Sequence, residues 1–355
     1  MLLPLAVPKK LTLSGAPYFE RLKSLTLRAE SYSLHTPPRN SEFRIPHSAF
    51  PICCLLKYFF LLLSAGNAII IKNAMELKMK VTVKDKDIIL TDVQCLNIEL
   101  CLFCGQAFRW QKTDEGIFHG VVRGKVCEII QSDDEIIFKN TSREDFDGIW
   151  KEYFDIERNY AEICEGFSPD ENLRKAAEEY YGIRILKQEP WEALCSFIIS
   201  QNNNIPRITG IISRLCEGFG EKINDNDYSF PHYERLKDVT VEELSPLRAG
   251  FRSKYIVDAV QKLINGEISL QKIAEMPLDE ARAELMKIKG VGAKVAECTL
   301  LYGFGRVDAF PVDVWVKRIM SEMYPDGLPE CTKNNEGIAQ QYLFHWRRNS
   351  PCFKE

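Results

Sequence analysis

The chain reads as an α+β protein, with an antiparallel sheet domain first and a mostly helical module after it. Three observations lead there. Short apolar runs with turn residues between them continue to about residue 140, and from Arg143 the apolar spacing turns helical almost throughout. Near residue 290 a paired-glycine turn separates two helical patterns.

Strands are expected at Lys80–Val83, Ile88–Leu90, Ala107–Trp110, Ile117–Val122, Val126–Gln131 and Ile136–Asn140, with Gly-Lys and Asp-Asp turns between them. In the helical part Pro190, Pro206, Pro246 and Pro277 fall near helix boundaries, where a missing amide costs least. The sheet domain is placed at 78–165 and the helical module at 166–355.

Residues 1–77 read differently, as a non-native or disordered extension that is acid-poor, contains Ser and Pro and carries no motif. An apolar run from Ile52 to Ile71 is about long enough for a bilayer, but Lys57 and Asn67 interrupt it and it lies too far in for a signal peptide. The acid-poor Arg/Ser composition is also that of a transit peptide. The expectation is that translation begins at Met75 or Met79 and that the functional core has no membrane partner.

Charge does not point to a polyanion, since the net formal charge is −4. The first 74 residues hold 9 Lys+Arg against 3 Asp+Glu, which leaves 37 basic and 47 acidic residues in the remainder. Nucleic-acid binding would therefore rest on local patches such as Lys287, Lys289, Lys317 and Arg318, together with amides at helix ends.

Those lysines flank Gly290-Val291-Gly292, where paired glycines permit the positive φ of a tight turn. The preceding helix is expected to end near Lys289 and the next to start at Ala293, offering unpaired amides to a phosphate. Lys294 lies in that first turn, where the positive helix end disfavours an ammonium and makes the side chain a candidate nucleophile. Asp313, after Pro311-Val312, precedes a second apolar-periodic run and is an expected N-cap whose carboxylate can face the lysine. Taken singly, these are a turn, a solvated charge and a cap. Their combination is more specific. Gly-Val-Gly-x-Lys-Val-Ala, a helix-length gap and Pro-Val-Asp-Val resemble the helix–hairpin–helix Gly-Pro-Asp superfamily of base-excision DNA glycosylases, in its bifunctional Lys-plus-Asp form.

Two further motifs narrow the resemblance to the 8-oxoguanine DNA glycosylases. Ser200-Gln201-Asn202-Asn203-Asn204-Ile205-Pro206-Arg207 follows an apolar helical run, and three asparagines mark a break with polar groups left free. The resemblance implies that Asn202 fills the space left by a flipped base, that Arg207 and Arg252 read the orphaned cytosine, and that Phe251 is an aromatic wedge. Cys104-Gly105-Gln106-Ala107-Phe108-Arg109-Trp110 is similar to the family's Gly-Gln-x-Phe-Arg-Trp strand motif. A glycine lets its backbone carbonyl approach the base and accept the N7–H that 8-oxoguanine has and guanine lacks. Phe108 and Trp110 read as sheet core.

Gly337 to Phe344 reads as a helix with Gln340 and Phe344 one turn apart. By resemblance Gln340 bonds the Watson–Crick edge, Phe344 stacks on one face of the base and Cys298 packs on the other. Two departures stand out. Trp315 occupies the position where the better-known eukaryotic members carry a phosphate-contacting histidine, and His345-Trp346-Arg347-Arg348 does not follow their pattern.

Of the 12 cysteines, Cys101 and Cys104 form a Cys-x-x-Cys with no second pair at zinc distance, so reduced thiols are expected and no metal. Only Cys331 and Cys352 lie in the C-terminal region, too few for the four-cysteine iron–sulfur loop of the endonuclease III branch. The sequence thus predicts a monomeric, cofactor-free glycosylase and lyase acting on 8-oxoguanine in double-stranded DNA, cytoplasmic and nucleoid-associated in a bacterium, nuclear in a eukaryote. The alternatives are a monofunctional glycosylase of the same fold, which would not need Lys294, a noncatalytic DNA-binding protein, and a membrane-anchored protein resting on Ile52–Ile71 alone.

Overall fold

The computed structural model describes residues 79–353, so the readings made for residues 1–77 lie outside the described residues. Among these no helix is long and apolar enough to cross a membrane.

Six antiparallel strands form one sheet: β1 (Lys80–Lys84), β2 (Asp87–Thr91), β3 (Trp110–Lys112), β4 (Phe118–Val122), β5 (Lys125–Gln131) and β6 (Glu135–Lys139), in the order β1-β2-β6-β5-β4-β3. Period-2 alternation sets its register. Ile88 pairs with Phe138, Phe138 with Ile129 and Ile129 with Phe118, giving one buried apolar row across four strands. Each such side chain contributes about 1.5–3 kcal/mol on burial. Phe146, Trp150 and Phe154 from the following helical segment close over Phe138.

The third strand differs from the expectation, since it begins at Trp110 and leaves Ala107–Arg109 irregular. Trp110 is sheet core, with its indole N–H donating to the Tyr153 hydroxyl at 2.8 Å. Phe108 is not. It packs edge-on to Phe197 in the helical core, 5.9 Å between ring centres. A short helix, α1 (Ile98–Phe103), also precedes this stretch unforeseen, capped by Asn97, whose side chain accepts from Leu100 N.

Apart from Cys95, Cys104 and Phe108, the second core is drawn from Tyr160 onward, close after Ile156, which belongs to the sheet core. Its frame is α2 (Tyr160–Gly166), α3 (Glu171–Glu179), α4 (Pro190–Ser200), α5 (Ile205–Phe219), α6 (Ser253–Ile264), α7 (Leu270–Glu275), α8 (Leu278–Leu285), α9 (Ala293–Phe304), α10 (Val314–Met323) and α11 (Glu336–Asn349). Two of these are apolar almost all round and therefore central: α4, buried from Trp191 to Ile199 except Glu192, and α9, buried from Val295 to Gly303.

Candidate active site

The hairpin forms where the glycines fall, with two corrections. Helix α8 ends at Leu285 rather than near Lys289, and only Gly290 has positive φ, at +79°. A Cβ on Gly290 would run into the Tyr255 ring, so glycine is needed there for both backbone and space. Gly292 is instead the extended N-cap of α9, and the space beside its Cα is open. That opening lies at unpaired helix amides, where a phosphate can approach. Asp258 of α6 holds the turn by accepting from Lys289 N at 2.7 Å. Within the expected basic patch Lys287 is spent on Glu284, 2.6 Å away. Lys289, Lys317 and Arg318 are exposed and make no ion pair among the described residues, and Lys254, which the sequence reading missed, joins them over the Tyr255 ring.

Lys294 projects from the first turn of α9 toward the C-terminal end of α4. Its Nζ lies 3.4 Å from Ser200 Oγ and 5.3 Å from the centre of the Phe197 ring, with no carboxylate in ion-pair distance among the described residues. Asp313 caps α10, and Oδ1 accepts from the amides of Trp315 and Val316, both at 2.9 Å. The second oxygen bonds no described residue. Cys298 shows where the two charges meet. Burial pushes its thiol up to about 11, while Lys294 draws it down and Asp313 raises it, so both charges act on one buried sulfur.

A residue in none of the motifs anchors the loop before Asp313 to the helix that carries Lys294. Glu297 is 6 % exposed in the middle of α9. One carboxylate oxygen pairs with Arg282 of α8 and the other accepts from Phe310 N at 2.8 Å, pinning the loop that leads to Asp313. An acid inside an otherwise apolar helix was the available signal, because a buried charge demands such partners.

The expected base-recognition residues join chain segments far apart in sequence. Gly105 has φ +92°, and a Cβ there would stand 3.8 Å from Phe344 Cε1, so glycine and aromatic are neighbours. The carbonyl before it, Cys104, accepts from Gln341 Nε2 at 3.2 Å, and the one after it, Gln106, accepts from Gln188 Nε2 at 2.8 Å. Gly105's own carbonyl has no donor among the described residues. Gln341 continues the path through the Tyr302 hydroxyl (2.5 Å) to Phe197, stacked on Tyr302 at 5.2 Å and lying beneath Lys294. On α11 Gln340 is 5 % exposed and its side-chain oxygen has no hydrogen-bond partner. A buried acceptor left open costs about 1–3 kcal/mol, which a ligand donor would recover.

The asparagine loop is less free than its composition suggests. Asn204 caps α5 by accepting from Arg207 N, and Asn203 is bonded to Ile199 O. Only Asn202 leaves its side chain unengaged, exposed on a backbone at φ +46°. Phe251 is exposed, with its ring edge-on to Tyr255 and beneath the Arg252 guanidinium. Arg207 is exposed, 3.4 Å from Arg248 O. Arg252 is turned inward, donating to the carbonyls of Gln201, Asn202 (2.9 Å) and Ala249 (3.1 Å). Burial first, and the like charge of Arg207 second, bring its pKa below the usual arginine value. The two arginines thus converge on the asparagine loop, with Arg252 acting as its brace in this state.

Cys101 and Cys104 are explained by packing. Cys101 Sγ bridges Gly182 O and Arg184 N, Cys104 Sγ points to Cys101 O, and burial pushes both thiols upward. All described cysteines are free.

A glycine hairpin, a half-buried lysine in the first turn of the helix behind it and an aspartate capping a later helix define a helix–hairpin–helix base-excision repair protein. The family model of the HhH-GPD superfamily of base excision DNA repair proteins matches residues 195–332, and that of the 8-oxoguanine DNA glycosylase N-terminal domain matches 88–194. The chain belongs to the 8-oxoguanine DNA glycosylase family. It is 32% identical to the N-glycosylase/DNA lyase OGG1 of Arabidopsis thaliana over 70% of this chain and 72% of that protein. To the N-glycosylase/DNA lyase of Saccharomyces cerevisiae it is 42% identical, over 40% of this chain and 42% of that one, so it spans less than half of that relative. Among solved structures, that of MBOgg1 with a low affinity DNA ligand superposes with TM-score 0.72 at 40% identity, covering 77% of this chain and 99% of that one. The Clostridium acetobutylicum 8-oxoguanine glycosylase/lyase, bound to duplex DNA with cytosine opposite 8-oxoguanine, gives TM-score 0.71 at 36% identity, covering 76% and 97%.

Proposed function

We propose that this chain excises 8-oxoguanine from duplex DNA, preferring cytosine opposite, and then nicks the strand by β-elimination. The observation that carries this reading is the buried Gln340 Oε1 left without a partner; beside it stand a Gly105 carbonyl that accepts no hydrogen bond among the described residues and a lysine with no carboxylate in ion-pair distance among them. 8-Oxoguanine supplies an N7–H for the carbonyl and Watson–Crick donors for Gln340 Oε1, and guanine would leave Gly105 unpaired.

Flipping the nucleotide costs a few kcal/mol, offset as Asn202 fills the gap and Arg207, with Arg252 released from the loop carbonyls, bonds the orphaned cytosine. Phe344 and Cys298 hold the base between them. Lys294 Nζ attacks C1′ while the C1′–N9 bond breaks and its electron pair leaves with the base, and the uncapped oxygen of Asp313 stabilises the positive charge developing on the sugar. The secondary amine formed at C1′ opens the ring to a protonated imine. Loss of a 2′ proton then expels the 3′ phosphate, breaking the strand.

Borohydride trapping on a duplex with one 8-oxoguanine opposite cytosine tests this. Wild type yields a covalent adduct, and Lys294→Gln loses it with excision falling on the order of 10³-fold or more. Base release without any adduct in the wild type would refute the lysine mechanism and leave a monofunctional glycosylase.

A further inference from the structure

Helix α11 carries a third residue on the stripe of Gln340 and Phe344. Arg348 stands one turn beyond Phe344, its guanidinium carbon 5.0 Å over the Phe344 ring centre. Its NH1 lies 3.9 Å from the position a Gly105 Cβ would take. The side chain is exposed and makes no ion pair or hydrogen bond among the described residues. Arg347, its neighbour, shows the contrast, for it is tied to Glu322 at 3.2 Å and lies over Phe353. Of two adjacent arginines, one is engaged by Glu322 and Phe353 and the other is brought to the glycine whose carbonyl is open.

We propose that Arg348 is a specificity residue whose guanidinium donates a hydrogen bond to a carbonyl oxygen flanking the N7–H of the flipped base. The inference rests on the reading of the pocket given above. The relevant edge of an 8-oxopurine presents oxygen, N–H, oxygen in sequence. Gly105 has a carbonyl for the central N–H but nothing for the oxygens beside it, and a planar guanidinium next to that carbonyl supplies the missing donor. Guanine turns a bare N7 toward the Gly105 carbonyl, acceptor against acceptor, and lacks the oxygen on C8. Gly105 therefore reads the N7–H, and Arg348, when it bonds the C8 oxygen, reads a second atom that guanine lacks. A charge-assisted donor next to a stacked ring, shielded from water on one side, is the stronger kind of contact.

The test uses the full chain with Arg348→Met, which keeps packing on Phe344 but has no donor, and Arg348→Lys, which restores a charged donor. Single-turnover base release from an 8-oxoguanine:cytosine duplex is compared with cleavage of a duplex carrying a preformed abasic site, which holds no base. Arg348→Met is expected to lower the ratio of base release to abasic-site cleavage by about ten- to hundredfold, the scale of one hydrogen bond to a charged group, and Arg348→Lys to recover part of it. Base release and abasic cleavage falling together would make Arg348 a phosphate grip and overturn the proposal. So would a methionine variant indistinguishable from wild type. Wild type that cleaves abasic sites yet releases no 8-oxoguanine would instead bring down the parent reading, and this inference with it.

Discussion

Around Lys294 and Asp313 the supporting polar groups already have partners: Asp313 Oδ1 closes two helix amides, Glu297 holds Phe310, and Asp258 holds Lys289. Around Gly105 and Gln340 the arrangement is the reverse, with one carbonyl lacking a donor and a buried side-chain oxygen left open. On the proposed function, the difference teaches that the reacting geometry is set before DNA arrives, as preorganised electrostatic catalysis requires. Recognition, on the same reading, is stored as unmet hydrogen bonds that a matching base would complete.

The sharpest break of the chemical half is Asp313→Asn. The amide oxygen still caps α10, so the thermal midpoint should stay within about 1–2 °C, because Asn and Asp are equivalent caps. Loss of the charge should slow single-turnover excision by about 10²–10³-fold, the scale of removing one electrostatic stabiliser. Equal losses of stability and rate would mean that the residue is only a cap.

On the recognition half the expected signs diverge. Gln340→Leu removes a buried acceptor that has no partner, so stability should rise by about 1 kcal/mol in urea melts while 8-oxoguanine release falls about tenfold. A variant less stable than wild type would show that the oxygen is satisfied in solution and that the contrast between the halves is overstated.

The smallest effect concerns the helix that carries Gln340. Burial, reinforced by Arg348, lowers the pKa of His345 to about 4, with its ring edge-on to Tyr180 at 4.5 Å. The folded value lies below the unfolded one, near 6.5. Between them the unfolded chain binds more protons, so the contribution of neutral His345 is complete above pH 6.5 and is lost as pH falls toward 4. Allowing for solvent screening of this half-buried ring, the loss is on the order of 1 kcal/mol. His345→Gln should flatten that part of the stability–pH curve, and an unchanged slope would assign it to other groups.

Local physics made the hairpin, the Asp313 cap and the strands legible, because glycine conformation, capping and period 2 act within a few residues. What the sequence reading misplaced depends on packing. Phe108 left the sheet for the Phe197 ring, and Lys287 found Glu284. Glu297 went unnamed, and Arg348 was noted only as a departure from the family's pattern, for the same reason, since neither takes its role from a local pattern. Their roles exist only once α8, α9 and α11 are side by side with the Gly105 segment.

The hydrogen bond from Gln341 to the Cys104 carbonyl spans 237 positions of the chain. In a molecule made from one end to the other, that bond is among the last to form, since closing so long a loop is slow. The hairpin and Lys294 emerge from the ribosome before α11 has been synthesised. On the proposed reading, a chain lacking α11 keeps the hairpin, Lys294 and Gly105 but not Gln340 or Phe344, so base selection is completed only once that helix is in place.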